Sequence, residues 1–523
     1  MKNIFFLIFV ILNCSCNSIK FVNEYSFLNN PTSNSVTDNI NLQNWHNLDP
    51  ETDSIPGTSV ERAYDELLNG LKGKKVIVAV IDTGLDIDHL SLSNNIWINK
   101  DEKLNGKDDD KNGYIDDIYG WNYLGTSYNE TRDMTRILRD NQVDNIKYSL
   151  VEEEIRKEIK KSNEQLNILN YYIQILEFSK GVISENLDNT KFTIEDVNKI
   201  KTEDEKLNRA KNIYIDFESI GYTKEYLNEG IEQYNDFINY HFNIDFNGRT
   251  SNDNIYDIND TDYGDSNINN IKDSESHSTH VSGIISGDRN NKKGNKGINN
   301  LVEIMALRAI PNGDEYDKDV ARAIRYAVDN GAKIINGSFG KYFSSNPEWV
   351  IDAIRYASKK DVLVVAAAGN ESKDLDLLSN DNYPNDQFFN KNEFSDTFIK
   401  VGASTINLNE NFTAYFSNYG KINVDIFAPG VDIYSSVPND KYKFQDGTSM
   451  ASPVVSGIAS LIMSYFPKLS AKKVKEIILK SGIDIDLKIG NLGSNKHFRE
   501  YSKSGKLINA YNALILASKS KRE

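Results

Sequence analysis

Cysteine, positive net charge and long apolar runs are all scarce in this chain of 523 residues. Its only two cysteines stand close to the amino terminus, so the rest of the chain has no disulfide to stabilise it. The net charge of -16 argues against a nucleic-acid binder, which needs a basic face to replace phosphate counterions. Hydrophobic residues make up 39% of the chain, which allows a large soluble core at this length.

The first residues have the pattern of an export signal. Lys2 precedes an apolar run over residues 4–12, which is too short to span a bilayer but suits the hydrophobic part of a signal peptide. Cys14 and Cys16 follow, and the segment resembles a bacterial lipoprotein signal, in which a cysteine is lipidated. The small residue before it favours Cys16, whereas the aliphatic residues upstream favour Cys14. We expect an exported, membrane-anchored lipoprotein on the periplasmic or cell-surface side, with an ordinary secretory signal as the alternative.

Strands and helices alternate in the globular part of the chain. Predicted strands cover residues 75–82, 301–309, 333–336 and 362–368. Predicted helices cover residues 60–71, 319–330, 346–359, 449–466 and 470–480. This alternation indicates an α/β fold in which helices flank a parallel central sheet.

A polar stretch that is rich in Glu and Lys interrupts this alternation. Its apolar residues repeat at helical spacing on one face: Ile155, Ile159, Leu166, Leu169, Ile173 and Leu176. We therefore predict an α-helical subdomain inserted into the α/β core, either as a surface cap that packs on itself or as a lid over a cleft. The predicted segments are a signal peptide (1–16), a tether (17–45), the two parts of the α/β domain (46–125 and 245–519) and the insertion (126–244).

Four residues offer the groups that peptide hydrolysis by a serine requires, although each has a simpler reading by itself. Asp82 ends a buried strand, where α/β proteins place their sites, but an Asp there is more often a turn residue. His277 lies among small residues at a helix start. With His280 it would make half of a metal site, but the chain has only six histidines and no further His or Cys cluster.

The other two groups follow the same logic. Ser449 stands just before a long apolar helix, where the positive end of the helix dipole suits an oxyanion; the simpler reading is a helix-capping serine. Asn370 follows a buried strand, where its amide is placed to donate to an oxyanion; the simpler reading is a turn residue. The four residues become persuasive only together.

The motifs around these residues are IDTG at Asp82, HSTHVSG from His277, AAAGN ending at Asn370 and GTSMASP around Ser449. Together they resemble the subtilase family of serine proteases, whose chain order is also Asp, His, Ser. The resemblance implies a serine endopeptidase in which Asp82 orients His277 and His277 acts as general base and acid. Ser449 would be the nucleophile, and the Asn370 amide and the Ser449 N–H would hold the oxyanion.

The resemblance covers residues 45–123 and 245–515. It implies that Ser338, Phe339 and Gly340 pair with the backbone of a protein or peptide substrate. The chain departs from the family at Ser278, where a glycine usually follows the catalytic histidine. We expect this serine to be tolerated, and we expect a monomer.

An acidic loop has the pattern of a calcium site. Asp108, Asp110 and Asn112 alternate and a glycine follows, as at the start of an EF-hand loop. The glutamate that normally closes such a loop is missing, so we expect Asp116 or Asp117 to be the closing ligand of a structural Ca²⁺. The alternative is a solvated acidic turn.

Three classes of function remain to be separated. The leading one is an active endopeptidase. The second is a catalytically silent lipoprotein that binds peptides in the same cleft, which only Ser278 favours. The third is a calcium-dependent adhesion or scaffold protein, which rests on the acidic loop, on a weaker acidic stretch at residues 257–265 and on the insertion. Labelling by a fluorophosphonate separates the first class from the others.

Overall fold

The computed structural model describes residues 42–140, 145–291, 294–387, 392–490 and 496–520. The predicted signal peptide, with Cys14 and Cys16, lies outside these ranges, and so does the predicted tether up to residue 41. The last tether residues belong to a 3₁₀ helix at Leu42–Asn47, whose Trp45 is buried in the core. Within the described ranges, we find no helix with the length and apolar character needed to cross a membrane.

A nine-stranded sheet forms the centre of the molecule, and a separate hairpin lies beside it. The strands are β1 (Val76–Asp82), β2 (Gly120–Asn122), β3 (Val302–Arg308), β4 (Ile334–Gly337), β5 (Leu363–Ala367), β6 (Phe398–Ser404), β7 (Ile426–Pro429), β8 (Ile433–Val437), β9 (Lys441–Gln445), β10 (Ile483–Asp484) and β11 (Lys506–Leu507). Their order in the sheet is β10-β11-β7-β6-β5-β4-β1-β3-β2, and β8 pairs with β9 in the hairpin. Only β10 runs antiparallel to its neighbour within the large sheet. The predicted α/β fold with a parallel sheet is confirmed.

Helices cover both faces of this sheet. The α-helices are α1 (Val60–Arg62), α2 (Asp133–Arg139), α3 (Asn145–Leu187), α4 (Ile194–Lys199), α5 (Glu205–Ser219), α6 (Lys224–Asp236), α7 (His277–Ser286), α8 (Asp317–Asp329), α9 (Pro347–Lys359), α10 (Thr448–Tyr465), α11 (Ala471–Ser481) and α12 (Ala510–Lys519). Further 3₁₀ turns lie at Ser93–Asn95, Leu378–Asn380 and Phe498–Glu500, and π turns lie at Ala63–Leu68 and Phe237–His241. One core layer packs α7, α10, α11 and α12 on the sheet, and the other packs α8 and α9.

The described residues between β2 and α7 form the five helices α2–α6, as the helical periodicity predicts. Much of it packs on itself, with a core that includes Leu176, Val197, Leu207 and Leu227. A second apolar cluster joins α2 and α3 to Phe343, which belongs to the α/β domain. The insertion therefore packs on itself and also contacts the loop that follows β4.

Candidate active site

The first pair of site residues lies where β1 meets α7. Asp82 is the last residue of β1 and is buried, and His277 is the first residue of α7. The His277 Nδ1 and the Asp82 Oδ1 are 2.6 Å apart. The backbone N–H of Ser278 donates to the Thr83 hydroxyl at 3.1 Å, which holds the two elements together. Ser278 itself is buried without displacing this arrangement.

The Asp82 carboxylate favours the charged form of the imidazole. Removal of the ring from water lowers the pKa of His277, but the negative charge of Asp82 and the hydrogen bond to it outweigh this effect. The pKa of His277 therefore lies above its usual value. With Nδ1 bound to Asp82, Nε2 is the nitrogen left to exchange a proton with a substrate or a nucleophile.

Ser449 lies in the first turn of α10, where backbone N–H groups have no partner inside the helix. Its Oγ donates to the backbone carbonyl of Ser338 at 2.9 Å, and no hydrogen bond joins it to His277 among the described residues. In this conformation the hydroxyl points to the end of β4.

Pro453 explains why Ser338, just after β4, is hydrogen-bonded to α10. A proline has no N–H, so the Ser449 carbonyl four residues earlier in α10 lacks its helical donor. The Ser338 Oγ donates to this carbonyl at 2.9 Å and thereby replaces the missing bond. The amide of Asn336 and the hydroxyl of Ser452 in turn hold the Ser338 Oγ, at 3.0 and 2.8 Å. Helix α10 and the predicted substrate-pairing residues are thus fixed to one another.

Two donors converge next to Ser449. The Asn370 Oδ1 accepts hydrogen bonds from the N–H and the hydroxyl of Thr448, both at 2.9 Å, so its Nδ2 is directed away from that helix turn. A Cβ built on Gly447 would stand 3.5 Å from both the Asn370 Nδ2 and the Ser449 N. Gly447, whose φ is +154°, keeps the space between these donors open. The arrangement offers two N–H groups to an oxyanion.

A cleft of about 490 Å³ runs from Ser449 to the insertion. Its α/β-domain wall includes Phe339, Gly340, Tyr342, Phe343, Gly369, Asn370 and Glu371. Its opposite wall comes from the insertion and includes Arg132, Met134, Glu154, Glu158, Lys161, Phe237 and Phe242. Two of the three residues predicted to bind substrate, Phe339 and Gly340, face this cleft; the side chain of the third, Ser338, is turned inward onto α10.

The acidic loop brings three carboxylates together. Oxygen atoms of Glu102, Asp108 and Asp110 lie within 4.8 Å of one another. The Oε1 of Glu102 accepts the N–H groups of Asp109 and Asp110, whereas its buried Oε2 has no hydrogen-bond partner among the described residues. An oxygen-only set with an unpartnered buried oxygen suits a hard cation such as Ca²⁺. Glu102 was not predicted from the sequence, because it precedes Asp108, the first position of the EF-hand pattern.

The other predicted metal ligands lie beside this cluster. The Asn112 amide donates to Asp110 and to Asp117, at 3.1 and 2.9 Å. Burial raises the pKa of Asp117 to about 6, against the hydrogen bond from the Tyr326 hydroxyl. The Asp116 carboxylate instead accepts N–H groups from the backbone of residues 105 and 106. The structure therefore brings Asp108 and Asp110 together with Glu102, whereas the Asp116 carboxylate faces the backbone of residues 105 and 106.

The weaker acidic stretch at residues 257–265 is organised differently. Asp260 lies 3.6 Å from the Lys318 ammonium, and Asp265 accepts a hydrogen bond from the Asn122 amide. Asp257 accepts the backbone N–H of Asn259. No carboxylate cluster suited to a cation is found here in the described part of the chain.

A parallel α/β sheet that gathers these groups at its carboxyl edge has the chemistry of a serine hydrolase: a carboxylate-bound imidazole, a serine at a helix start and two oxyanion donors. The sequence profile of the Subtilase family matches residues 73–502. The chain therefore belongs to the subtilase family, whose members are serine-type endopeptidases.

Relatives with known names agree with this membership. The chain is 36% identical over 261 residues to the thermophilic serine proteinase of Bacillus sp. (strain AK1), a match that covers 50% of this chain and 55% of the relative. It is 35% identical over 234 residues to the cell wall-associated protease of Bacillus subtilis (strain 168), covering 45% of this chain and 24% of the relative. The chain is also 36% identical over 189 residues to thermitase of Thermoactinomyces vulgaris, a match that covers 36% of this chain and 61% of thermitase. The chain spans about half or less of the first two relatives.

Proposed function

We propose that this protein is a serine endopeptidase that cleaves protein or peptide substrates through Asp82, His277 and Ser449. The observation that supports this best is the 2.6 Å contact between His277 Nδ1 and the buried Asp82. This contact leaves Nε2 of the imidazole to act as the base. Family membership supports the reaction class. The three residues lie far apart along the chain, so their meeting at one edge of the sheet also supports a shared site.

The groups suggest a definite order of events. An extended substrate pairs with the backbone of residues 338–340, and the Ser449 Oγ turns from the Ser338 carbonyl towards His277. His277 takes the hydroxyl proton as Oγ bonds to the scissile carbonyl carbon, and the Asn370 Nδ2 and the Ser449 N–H stabilise the resulting oxyanion. His277 then gives its proton to the leaving amine, which leaves an acyl group on Ser449. Water hydrolyses this ester by the same proton transfers.

A structural calcium ion completes the proposal. Glu102, Asp108 and Asp110 would hold it, and its charge would offset the repulsion between carboxylates that are packed together. Because an ion bound only to the folded state stabilises that state, Ca²⁺ should raise the melting temperature. The variant Glu102→Gln should lose most of this increase, with Glu195→Gln on the exposed surface of the insertion as the matched control. An equal effect of Ca²⁺ on both variants would contradict the assignment.

Export and membrane tethering are a separate proposal that rests on the sequence of residues 2–16. A lipidated Cys16, or Cys14, would hold the enzyme on the periplasmic or cell-surface side of a membrane. Cys16→Ser, or the double change with Cys14→Ser, should move the protein from the membrane fraction to the soluble fraction. Unchanged fractionation of the double variant would contradict this proposal.

The test of the activity compares wild type with Ser449→Ala, using casein and fluorogenic peptides, with and without a calcium chelator. We expect hydrolysis that disappears in the variant and weakens on chelation. Equal hydrolysis by both proteins would contradict the proposed nucleophile. No hydrolysis by folded wild-type protein would instead favour a protein that only binds peptides in the cleft.

A further inference from the structure

The loop that follows the predicted substrate-pairing residues is bound to the insertion by a buried carboxylate. Lys341 comes directly after Gly340, and its ammonium lies 2.8 Å from the Oδ2 of Asp133, the first residue of α2. The same ammonium lies 2.9 Å from Asp317 and 2.9 Å from the Glu315 carbonyl. Lys341 is therefore held in place from two sides, by the insertion and by the α/β domain.

Asp133 also binds the far end of this loop. The backbone N–H and the hydroxyl of Ser345 donate to its two carboxylate oxygens, at 2.9 and 2.6 Å. Between these anchor points, Phe343 packs against the apolar cluster of α2 and α3. One carboxylate thus fixes residues 341 and 345 together.

Both residues of the Asp133–Lys341 ion pair are buried. Asp133 is only 2% exposed and Lys341 only 3%. Burial opposes the charge of Asp133, but Lys341 and Arg136 outweigh it and hold the pKa of Asp133 well below its usual range. A neutral side chain at position 133 would leave Lys341 with an incomplete set of partners inside the protein, so the loop would have to shift to restore them.

We propose that Asp133 of the insertion is a positioning residue for substrate binding, because it sets the path of residues 338–340, the segment expected to pair with the substrate. This inference rests on the proposed endopeptidase function and adds a role for the insertion. Gly340 and Lys341 are adjacent, so a shift at Lys341 reaches the pairing residues directly. Asp82, His277 and Ser449 are carried by β1, α7 and α10, and Ser338 is tied to α10 by its own hydrogen bonds, so we expect the shift to fall on Phe339 and Gly340.

The proposal predicts a selective defect. A misplacement of about 1 Å can cost on the order of 100-fold in rate for a substrate that must be held in position. Asp133→Asn should therefore lower kcat/KM for an extended tetrapeptide anilide by about 10- to 100-fold. A small ester such as p-nitrophenyl acetate, and a fluorophosphonate probe, acylate or label the serine without pairing along the strand. Their rates should stay within about twofold of wild type, given that the catalytic groups are untouched.

The matched control is Asp216→Asn, an exposed aspartate in α5 of the same insertion. It should leave both reactions unchanged. If Asp133→Asn does not fold, Ser345→Ala replaces it, because this change removes only one hydroxyl donor of Asp133. Ser345→Ala should show a smaller loss of the same kind, confined to the extended peptide.

The outcomes separate the two proposals. Equal losses on peptide and ester, or no loss on either, would overturn the role of Asp133 while wild-type activity still supported the endopeptidase function. A folded wild type that neither cleaves the peptide nor reacts with the probe would overturn the endopeptidase function, and the role of Asp133 with it.

Discussion

The strongest structural prediction concerns Ser338→Ala. The Ser338 Oγ is the group that supplies a hydrogen bond to the Ser449 carbonyl, which Pro453 leaves without a helical donor. Alanine at this position removes the hydrogen bond to this partly buried carbonyl and leaves the buried Asn336 amide and Ser452 hydroxyl without their partner. An unpaired buried polar group costs about 1–3 kcal/mol of unfolding free energy, so we expect a loss in this range.

Urea unfolding, followed by tryptophan fluorescence, measures this loss. Both proteins should also carry Ser449→Ala, so that self-digestion does not distort the curves. Ser372→Ala is the matched control, because the Ser372 hydroxyl donates to the Tyr415 carbonyl at an exposed site, and we expect it to change stability by no more than about 0.5 kcal/mol. A Ser338→Ala protein as stable as this control would refute the reasoning.

Three further predictions follow from the site. Gly447→Ala places a methyl group beside both oxyanion donors, so kcat for peptide hydrolysis should fall by about 100- to 1,000-fold; an unchanged kcat would place the oxyanion elsewhere. Because Asp82 raises the pKa of His277, and because only the neutral ring is a base, kcat/KM should rise with pH through a midpoint above 6.5. A midpoint below that value would contradict the pairing. Burial raises the pKa of Glu315 to about 7, against the attraction of Lys341. Protonated Glu315 therefore stabilises the folded state, and this contribution is complete below pH 4.5 and is lost as the pH rises through 7. Glu315→Gln should therefore raise the melting temperature at pH 8 relative to wild type more than at pH 5, and an equal effect at both would contradict this.

Much of the α/β core could be predicted because local signals define it. Continuous apolar runs predict β1 and β3 to within one or two residues of their observed ends. The helix predicted to end at residue 71 instead finishes in a π turn at Leu68, which no apolar periodicity indicates. The motifs at Asp82 and Asn370 also end buried strands, so they predict a site at the carboxyl edge of the sheet, where parallel strands end together.

Contacts between distant segments could not be predicted in this way. Asp133 and Lys341 are 208 positions apart, and neither belongs to a recognisable motif. Glu102 joins the acidic cluster only because the loop folds back on itself, and the alternating pattern starts after it. The orientation of the Ser449 hydroxyl depends on the Ser338 carbonyl, which is a property of the folded state alone.

The central claim is that Ser449 is a nucleophile activated by His277, and one labelling experiment tests it most directly. Wild-type protein and the His277→Ala and Ser449→Ala variants are treated with a fluorophosphonate, and the modified peptide is identified by mass spectrometry. We expect a single adduct on Ser449 in wild type, a strongly reduced rate in His277→Ala and no adduct in Ser449→Ala. An adduct on another residue, or no adduct on folded wild-type protein, would contradict the claim.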